Sequence, residues 1–204
     1  TAIEKFYFPS QVTVLHDLVF HSCYQLQTVV FPHDSKLEII ESKSLAHSSI
    51  RYITIPSSVK KICEGFLVNC NKIQRFEFKK NSNLQIIEEN AFSDSSIRGI
   101  IIPSSITKLQ NVTFNSCYNL YKVEFLPDSK LQTIEDEVFF GTQVTSFCIP
   151  SHVTKIGKLA FFNCPIQIIE INEILDITSL NLEHQFDWAR NFPKANKISM
   201  ISLF

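Results

Sequence analysis

Residues 50–59 read IRYITIPSSV, and the same string returns as IRGIIIPSSI at 97–106 and as VTSFCIPSHV at 144–153. A fainter copy, FYFPSQV, opens the chain at 6–12. The prolines of these copies are Pro9, Pro56, Pro103 and Pro150, each 47 residues after the last. Internal periodicity of this length outranks local propensity in deciding a fold. Within each 47-residue unit the apolar pattern L-x-x-L-x-L occurs twice, with Ile, Val or Phe also accepted. It occurs at Ile3-Phe6-Phe8, Leu26-Val29-Phe31, Ile50-Ile53-Ile55, Ile73-Phe76-Phe78, Ile97-Ile100-Ile102, Leu120-Val123-Phe125, Val144-Phe147-Ile149 and Ile166-Ile169-Ile171. The first residues of these copies are 23, 24, 23, 24, 23, 24 and 22 apart. The last two apolar positions alternate with a variable one, which is strand periodicity. A strand every ~23 residues with no helix-length segment between predicts a solenoid of stacked parallel strands. Proline at the strand end fits, because it offers no N–H to the next rung.

A second apolar signature lies between the strands. One set runs Val12-Leu15-Phe20, Ile62 to Leu67, Leu109 to Phe114 and Ile156 to Phe161; the other runs Ile40 to Leu45, Ile87 to Phe92 and Ile134 to Phe139. These residues are expected to point inward from the far side of each coil and to stack into one core. No coil buries that face alone, so stability comes from neighbours. The halves differ regularly. Cys23, Cys70, Cys117 and Cys164 mark one type, with Ser48 and Ser95 near that place in the other. Loops 31–37, 78–84 and 125–131 are longer than the Ile55–Val59 kind. After Ile171 the rhythm loosens, so 1–171 reads as the array and 172–204 as a degenerate or partial terminal repeat. There the only tryptophan, Trp188, lies in 181–190, and Ile198-Ile201-Leu203 restores the strand pattern. Thr1 and the apolar last strand lead us to expect a piece cut from a longer protein.

The motif IPSSVKKICEGFLVNC, followed by NKIQRFEF, resembles the BspA-like class of leucine-rich repeats. That class has IP-x-S-V, then an A-F or G-F step, then N-C or G-C, then L-x-x-I-x-I. The matching residues here are Glu64-Gly65-Phe66-Leu67 to Cys70, Asn90-Ala91-Phe92, and Leu159-Ala160-Phe161 to Cys164. The resemblance implies an α/β, strand-dominated leucine-rich-repeat solenoid. We expect about nine parallel strands in one continuous sheet, with short turns or one-turn helices opposite. Ser58, Ser105 and His152 stand where ordinary leucine-rich repeats carry an Asn, which suits the BspA-like class. The resemblance further implies a surface or secreted protein of a bacterium or parasitic protist that adheres to host matrix or to other cells.

The totals bound the function. Net charge is −1 at pH 7, which argues against a nucleic-acid partner, and 45% apolar residues argue against disorder. No apolar run reaches the ~18 residues that span a bilayer, so no membrane insertion by this stretch is expected. No C-x-x-C or H-x-x-x-H spacing and no phosphate-cradling glycine motif occurs, so we expect no metal, no cofactor and no catalytic residue. The Cys column recurs every second coil, ~10 Å apart at ~4.8 Å per rung, too far for a disulfide, which needs Cα atoms within about 7 Å. It reads as a buried ladder of reduced thiols. Cys63 and Cys148 lie four coils apart. The six histidines scatter over loops. Asn111-Val112-Thr113 is a glycosylation sequon, neutral on localisation.

The outward strand positions carry the candidate binding site: Arg51, Tyr52, Arg75, Glu77, Arg98, Tyr121, Lys122 and Glu124. Arg and Tyr are enriched at binding hot spots, and solenoid sheets are common recognition surfaces. The expected partner is a protein or glycan, with host matrix or a cell surface as its source. Two other readings exist. Unbridged thiols and the lack of a signal peptide near Thr1 favour a cytoplasmic scaffold of the same fold. Glu77, Glu124 and Glu170 recur ~10 Å apart, near the ~6.5–9.5 Å of an inverting glycosidase pair. Arg75 and Lys122, two residues before Glu77 and Glu124, are expected to keep those two carboxylates ionised, which does not suit a general acid.

Overall fold

A computed structural model describes residues 3–171 and the strand Ile198–Ser199. The chain is a strand-dominated parallel β-solenoid whose strands alternate between two rows. In chain order they are β1 (Lys5–Tyr7), β2 (Val14–Leu15), β3 (Thr28–Val30), β4 (Ile39–Ile40), β5 (Tyr52–Ile55), β6 (Lys61–Ile62), β7 (Arg75–Phe78) and β8 (Ile86–Ile87). They continue with β9 (Gly99–Ile102), β10 (Lys108–Leu109), β11 (Lys122–Phe125), β12 (Thr133–Ile134), β13 (Ser146–Ile149), β14 (Lys155–Ile156), β15 (Ile168–Ile171) and β16 (Ile198–Ser199). Odd-numbered strands up to β15 form the longer row, which β16 extends by pairing Ile198 with Ile169. The array makes about seven turns among residues 3–171.

The expected single sheet of about nine strands therefore needs amending. Each turn carries two strands on separate faces, and the long row is interrupted. It pairs as β1-β3-β5-β7, β9-β11 and β13-β15-β16. The breaks follow the sequence spacing. Steps of 22 or 23 residues give full registers, such as Tyr52↔Arg75 through Ile55↔Phe78, and Gly99↔Lys122 through Ile102↔Phe125. Steps of 24 residues give one partner, Thr28↔Tyr52, or none. The short row breaks once, between β8 and β10, level with the break between β7 and β9.

The far side is built from turns. The expected one-turn helices are absent among the described residues. The reason is backbone conformation: two residues per coil adopt left-handed φ, for example Asn90 and Asp94 (58° and 54°), or Val112 and Ser116 (51° and 57°). Such residues break a right-handed helix. Their N–H groups bond to the next coil instead of within the turn. Asn90, Phe92 and Asp94 donate to the carbonyls of Asn111, Thr113 and Asn115 at 3.2, 3.0 and 2.9 Å. On the strand side the donation runs the other way, as in Arg51 N–H to Gln27 O at 2.8 Å. Each coil is thus laced to its neighbours on both sides, which satisfies backbone groups that burial would otherwise penalise.

Inside lie the residues of both apolar signatures. Ile50, Ile53, Ile55, Ile97, Ile100 and Ile102 are buried, as are Leu67, Phe92, Phe114, Phe139 and Phe161. The rings stack along the axis, with centroids 5.2 Å apart for Phe92–Phe114, 5.5 Å for Phe114–Phe139 and 5.4 Å for Phe139–Phe161. One alignment is corrected here. The Gly65-Phe66 step is not the counterpart of Ala91-Phe92, because Gly65 takes the left-handed position that Asn90 takes. Leu67 fills the ring column and Phe66 occupies the site that Ala91 fills elsewhere.

The thiol ladder is present, and its chemistry is more specific than small-residue packing. Cys70, Cys117 and Cys164 donate to the carbonyls of Leu45, Phe92 and Phe139 at 3.1, 3.0 and 2.9 Å. Ser48, Ser95 and Thr142 sit beside these sulfurs at 3.6, 3.5 and 3.2 Å. Hydroxyl and thiol alternate up the column. All six cysteines are free thiols, and only Cys148 is exposed.

Candidate binding face and its notch

All eight candidate residues are exposed, and they fall on four successive coils. Registers place Tyr52 beside Arg75, Thr54 beside Glu77, Gly99 beside Lys122 and Ile101 beside Glu124. One position earlier, Gln74 N–H bonds to Arg51 O and Tyr121 N–H to Arg98 O, so these four residues form the adjoining column. The break between β7 and β9 divides the set. Arg51, Tyr52, Arg75 and Glu77 sit on one paired unit; Arg98, Tyr121, Lys122 and Glu124 sit on the other, 47 residues on.

The carboxylates are held by their own strands. Arg75 Nε lies 2.8 Å from Glu77 Oε1, and Lys122 Nζ 2.8 Å from Glu124 Oε1. The hydrogen bond to Glu124 pushes the Lys122 ammonium above its ordinary pKa. Tyr52 Oη donates to Gln74 Oε1 at 2.7 Å. Paired and solvated carboxylates of this kind suit surface recognition rather than proton donation to a leaving group.

Between the two units the face opens into a cavity of about 750 Å³. Two long loops wall it, Lys79–Ser82 on one side and Leu126 to Asp128 on the other. The recessed Pro103-Ser104 turn and strand β9 form its floor. Three candidate residues line it: Glu77, Lys122 and Glu124. Lys79, Lys80, Gly99, Ile101, Leu126 and Asp128 complete it and were missed as site residues. A column-by-column comparison of the copies would have flagged them. Gly99 stands where the previous unit has Tyr52, Ile101 where it has Thr54, and Leu126 where it has Lys79.

Elsewhere the surface residues have structural uses. Glu135 accepts from Lys108 at 2.8 Å and Lys155 at 3.1 Å, tying coils two apart. Asn111 of the sequon accepts from Asp136 N–H at 3.2 Å, and Thr113 is buried with its hydroxyl donating to Gln110 O at 2.7 Å. His16 sits 3.1 Å from Glu41. Among the described residues no group of three or more His, Cys, Asp and Glu side chains is placed to hold a metal ion. Among them, too, no helix is long and apolar enough to cross a membrane. The segment around Trp188 lies outside the described residues.

A regular parallel coil with a decorated strand face is the architecture of a leucine-rich-repeat protein. The chain belongs to the BspA type leucine rich repeat region family, whose profile matches residues 1–121 and 113–192 in six copies. Among solved structures it is similar to the pneumococcal vaccine antigen PcpA, with a TM-score of 0.59 at 18% identity over 84% of this chain. A leucine rich cell surface protein from Faecalibacterium prausnitzii A2-165 aligns with a TM-score of 0.48 at 21% identity over 85% of this chain. The chain spans 41% and 55% of the lengths of these two proteins. No curated protein matches its sequence.

Proposed function

We propose that this chain is a non-catalytic binding module that presents its long strand row to a protein or glycan, in the manner of an adhesion repeat. One observation carries the reading. The strand face exposes large side chains that a merely solvated sheet has no need of, with Tyr52, Ile101 and Tyr121 about half exposed among Arg51, Arg75 and Arg98. Rigid rings and guanidinium groups supply contact area at low entropic cost, which is why they dominate binding hot spots. Cell-surface or secreted placement is part of this proposal, supported by the family and by the surface protein that shares its repeat type. The free thiols do not favour the cytoplasmic scaffold over it, because their column is occupied by carbonyl-directed hydrogen bonds whatever the compartment. The test is solid-phase binding to immobilised matrix and cell-surface proteins and glycans. Replacing Arg51, Tyr52, Arg98 and Tyr121 together by Ala is expected to weaken binding by tenfold or more, on the scale of one to two hot spots at ~2 kcal/mol each. Undiminished binding by a folded variant would remove the face from consideration.

A further inference from the structure

The notch between the two paired units is a departure from the repeat, and its chemistry names an occupant. In the preceding unit the same place is closed twice over. Tyr52 covers the strand position that Gly99 leaves bare. Lys79 reaches back across two coils and donates to His33 O at 3.4 Å, bridging one long loop to the previous one. The next long loop has Leu126 at the position of Lys79 and has no ammonium to make that bridge. Both ladders of strand pairing also stop at this level, β7 from β9 and β8 from β10, while the turn side stays laced through Asn90, Phe92 and Asp94.

The lining is dipolar with an apolar floor. Ile101 and Leu126 expose 51% and 42% of their surface into a space otherwise walled by charge. Glu77 and Glu124 are already occupied by Arg75 and Lys122. Lys80 on one wall and Asp128 on the other have no ion-pair partner among the described residues. A sugar would need a flat exposed ring to stack on. None lines the notch: Phe76 is buried, and half-buried Phe78 turns its edge to it with ring centroids 4.9 Å apart. The walls are two coils apart, ~10 Å, a span that three residues of extended chain cover at ~3.3 Å each.

We propose that this notch binds an extended segment of a partner protein, seating an apolar side chain on Ile101 and Leu126 between a carboxylate facing Lys80 and a cation facing Asp128. The proposal rests on the reading of this face as a protein-binding surface and names the peptide chemistry it selects. It favours protein over glycan at this site, because charge complementarity and an apolar seat are present and a stacking platform is not.

The experiment is fluorescence polarisation of the full chain with a labelled seven-residue peptide, a Glu-Leu-Arg core flanked by Gly and Ser. Two comparison peptides carry Gln-Leu-Gln and Glu-Ser-Arg cores, and a cellulose hexasaccharide serves as the sugar probe. Saturable binding of the first peptide, at least tenfold tighter than either comparison peptide, is expected. The repeat supplies the blocking variants. Leu126→Lys restores the bridging lysine at an exposed site. Gly99→Tyr restores the missing ring, and a Cβ there meets only Lys122 atoms at 3.5 Å, an ordinary contact. Each is expected to weaken the peptide tenfold or more, with Tyr24→Ala, far from the notch, without effect. Absence of saturable binding up to millimolar peptide overturns the proposal. So do equal affinity for the Gln-Leu-Gln peptide, indifference to both blocking variants, or hexasaccharide binding that Gly99→Tyr abolishes. If the peptide fails on the parent chain while the four-residue face variant still loses its partner, the notch proposal falls and the face reading stands.

Discussion

Cys117 shows how a repeat uses a residue. Its thiol is fully buried and pushed up to about 12 by that burial, and Cys70 to about 11 for the same reason. Each donates to a backbone carbonyl of the previous coil, so the column joins coils as well as filling space. Only the thiolate is a nucleophile, and burial suppresses both its formation and its access. Cys148 is exposed on β13, although burial and nearby Glu170 also raise its pKa. Native protein treated with a maleimide at pH 8 is therefore expected to label first and nearly alone at Cys148. Cys70 and Cys117 should become reactive only with denaturant, as peptide mapping by mass spectrometry would show. Rapid native labelling at Cys117 would contradict its burial. The column was legible in the sequence because it recurs every 47 residues. The donor role was not, because the acceptor carbonyl is 25 residues away and its direction depends on how the coils stack.

At the scale of the element, the ion pairs follow the short strand row. Glu135 follows β12, and its carboxylate is 14% exposed between Lys108 of β10 and Lys155 of β14. Hydrogen bonds to Lys108 and then Lys155 hold it below its ordinary pKa against the opposing effect of burial. The sign of the pH effect follows. A depressed folded-state pKa contributes stability above the unfolded pKa and loses it as pH falls through the folded one. Glu135→Gln is expected to lower unfolding free energy by about 1 kcal/mol at pH 7 in urea titrations. The gap between parent and variant should close on acidification below pH 4.5, the ordinary carboxyl value. A gap independent of pH would assign the loss to packing instead. Single-sequence reading did not see this row as strand, because two extended residues show no alternation. It registered the same residues only as an apolar signature. The far-side turns were misread toward helix for a related reason: an Ala-Phe step reads as helical, and nothing local in Val112 or Leu159 signals a left-handed φ.

The whole molecule is quasi-one-dimensional, and its true unit is two coils. Long and short loops, the Cys and Ser/Thr positions, and full and missing strand registers all alternate with the 47-residue period. Joining Ser49 directly to Ile97 removes one such unit and keeps every column in phase. That shortened chain is expected to unfold cooperatively in urea with a smaller m-value, in keeping with less surface exposed. Joining Ser49 to Ile73 removes a single coil and sets two coils of the same type side by side. It is expected to lose cooperativity or fail to fold by circular dichroism. Equal behaviour of the two deletions would argue that the single coil is the unit.

The sequence by itself determined the coil length, the residues that face inward, the eight residues on the outward face, and the family. Each of these is a matter of period, and period survives without coordinates. Tertiary structure decided where the coils separate. The break between β7 and β9, the notch it accompanies, and the meeting of Lys80 and Asp128 across it depend on residues about 48 positions apart. Only stacking brings such residues together. A glycine at position 99 and a leucine at 126 are unremarkable in a linear reading; placed on neighbouring coils, they remove the two side chains that close the same gap one unit earlier.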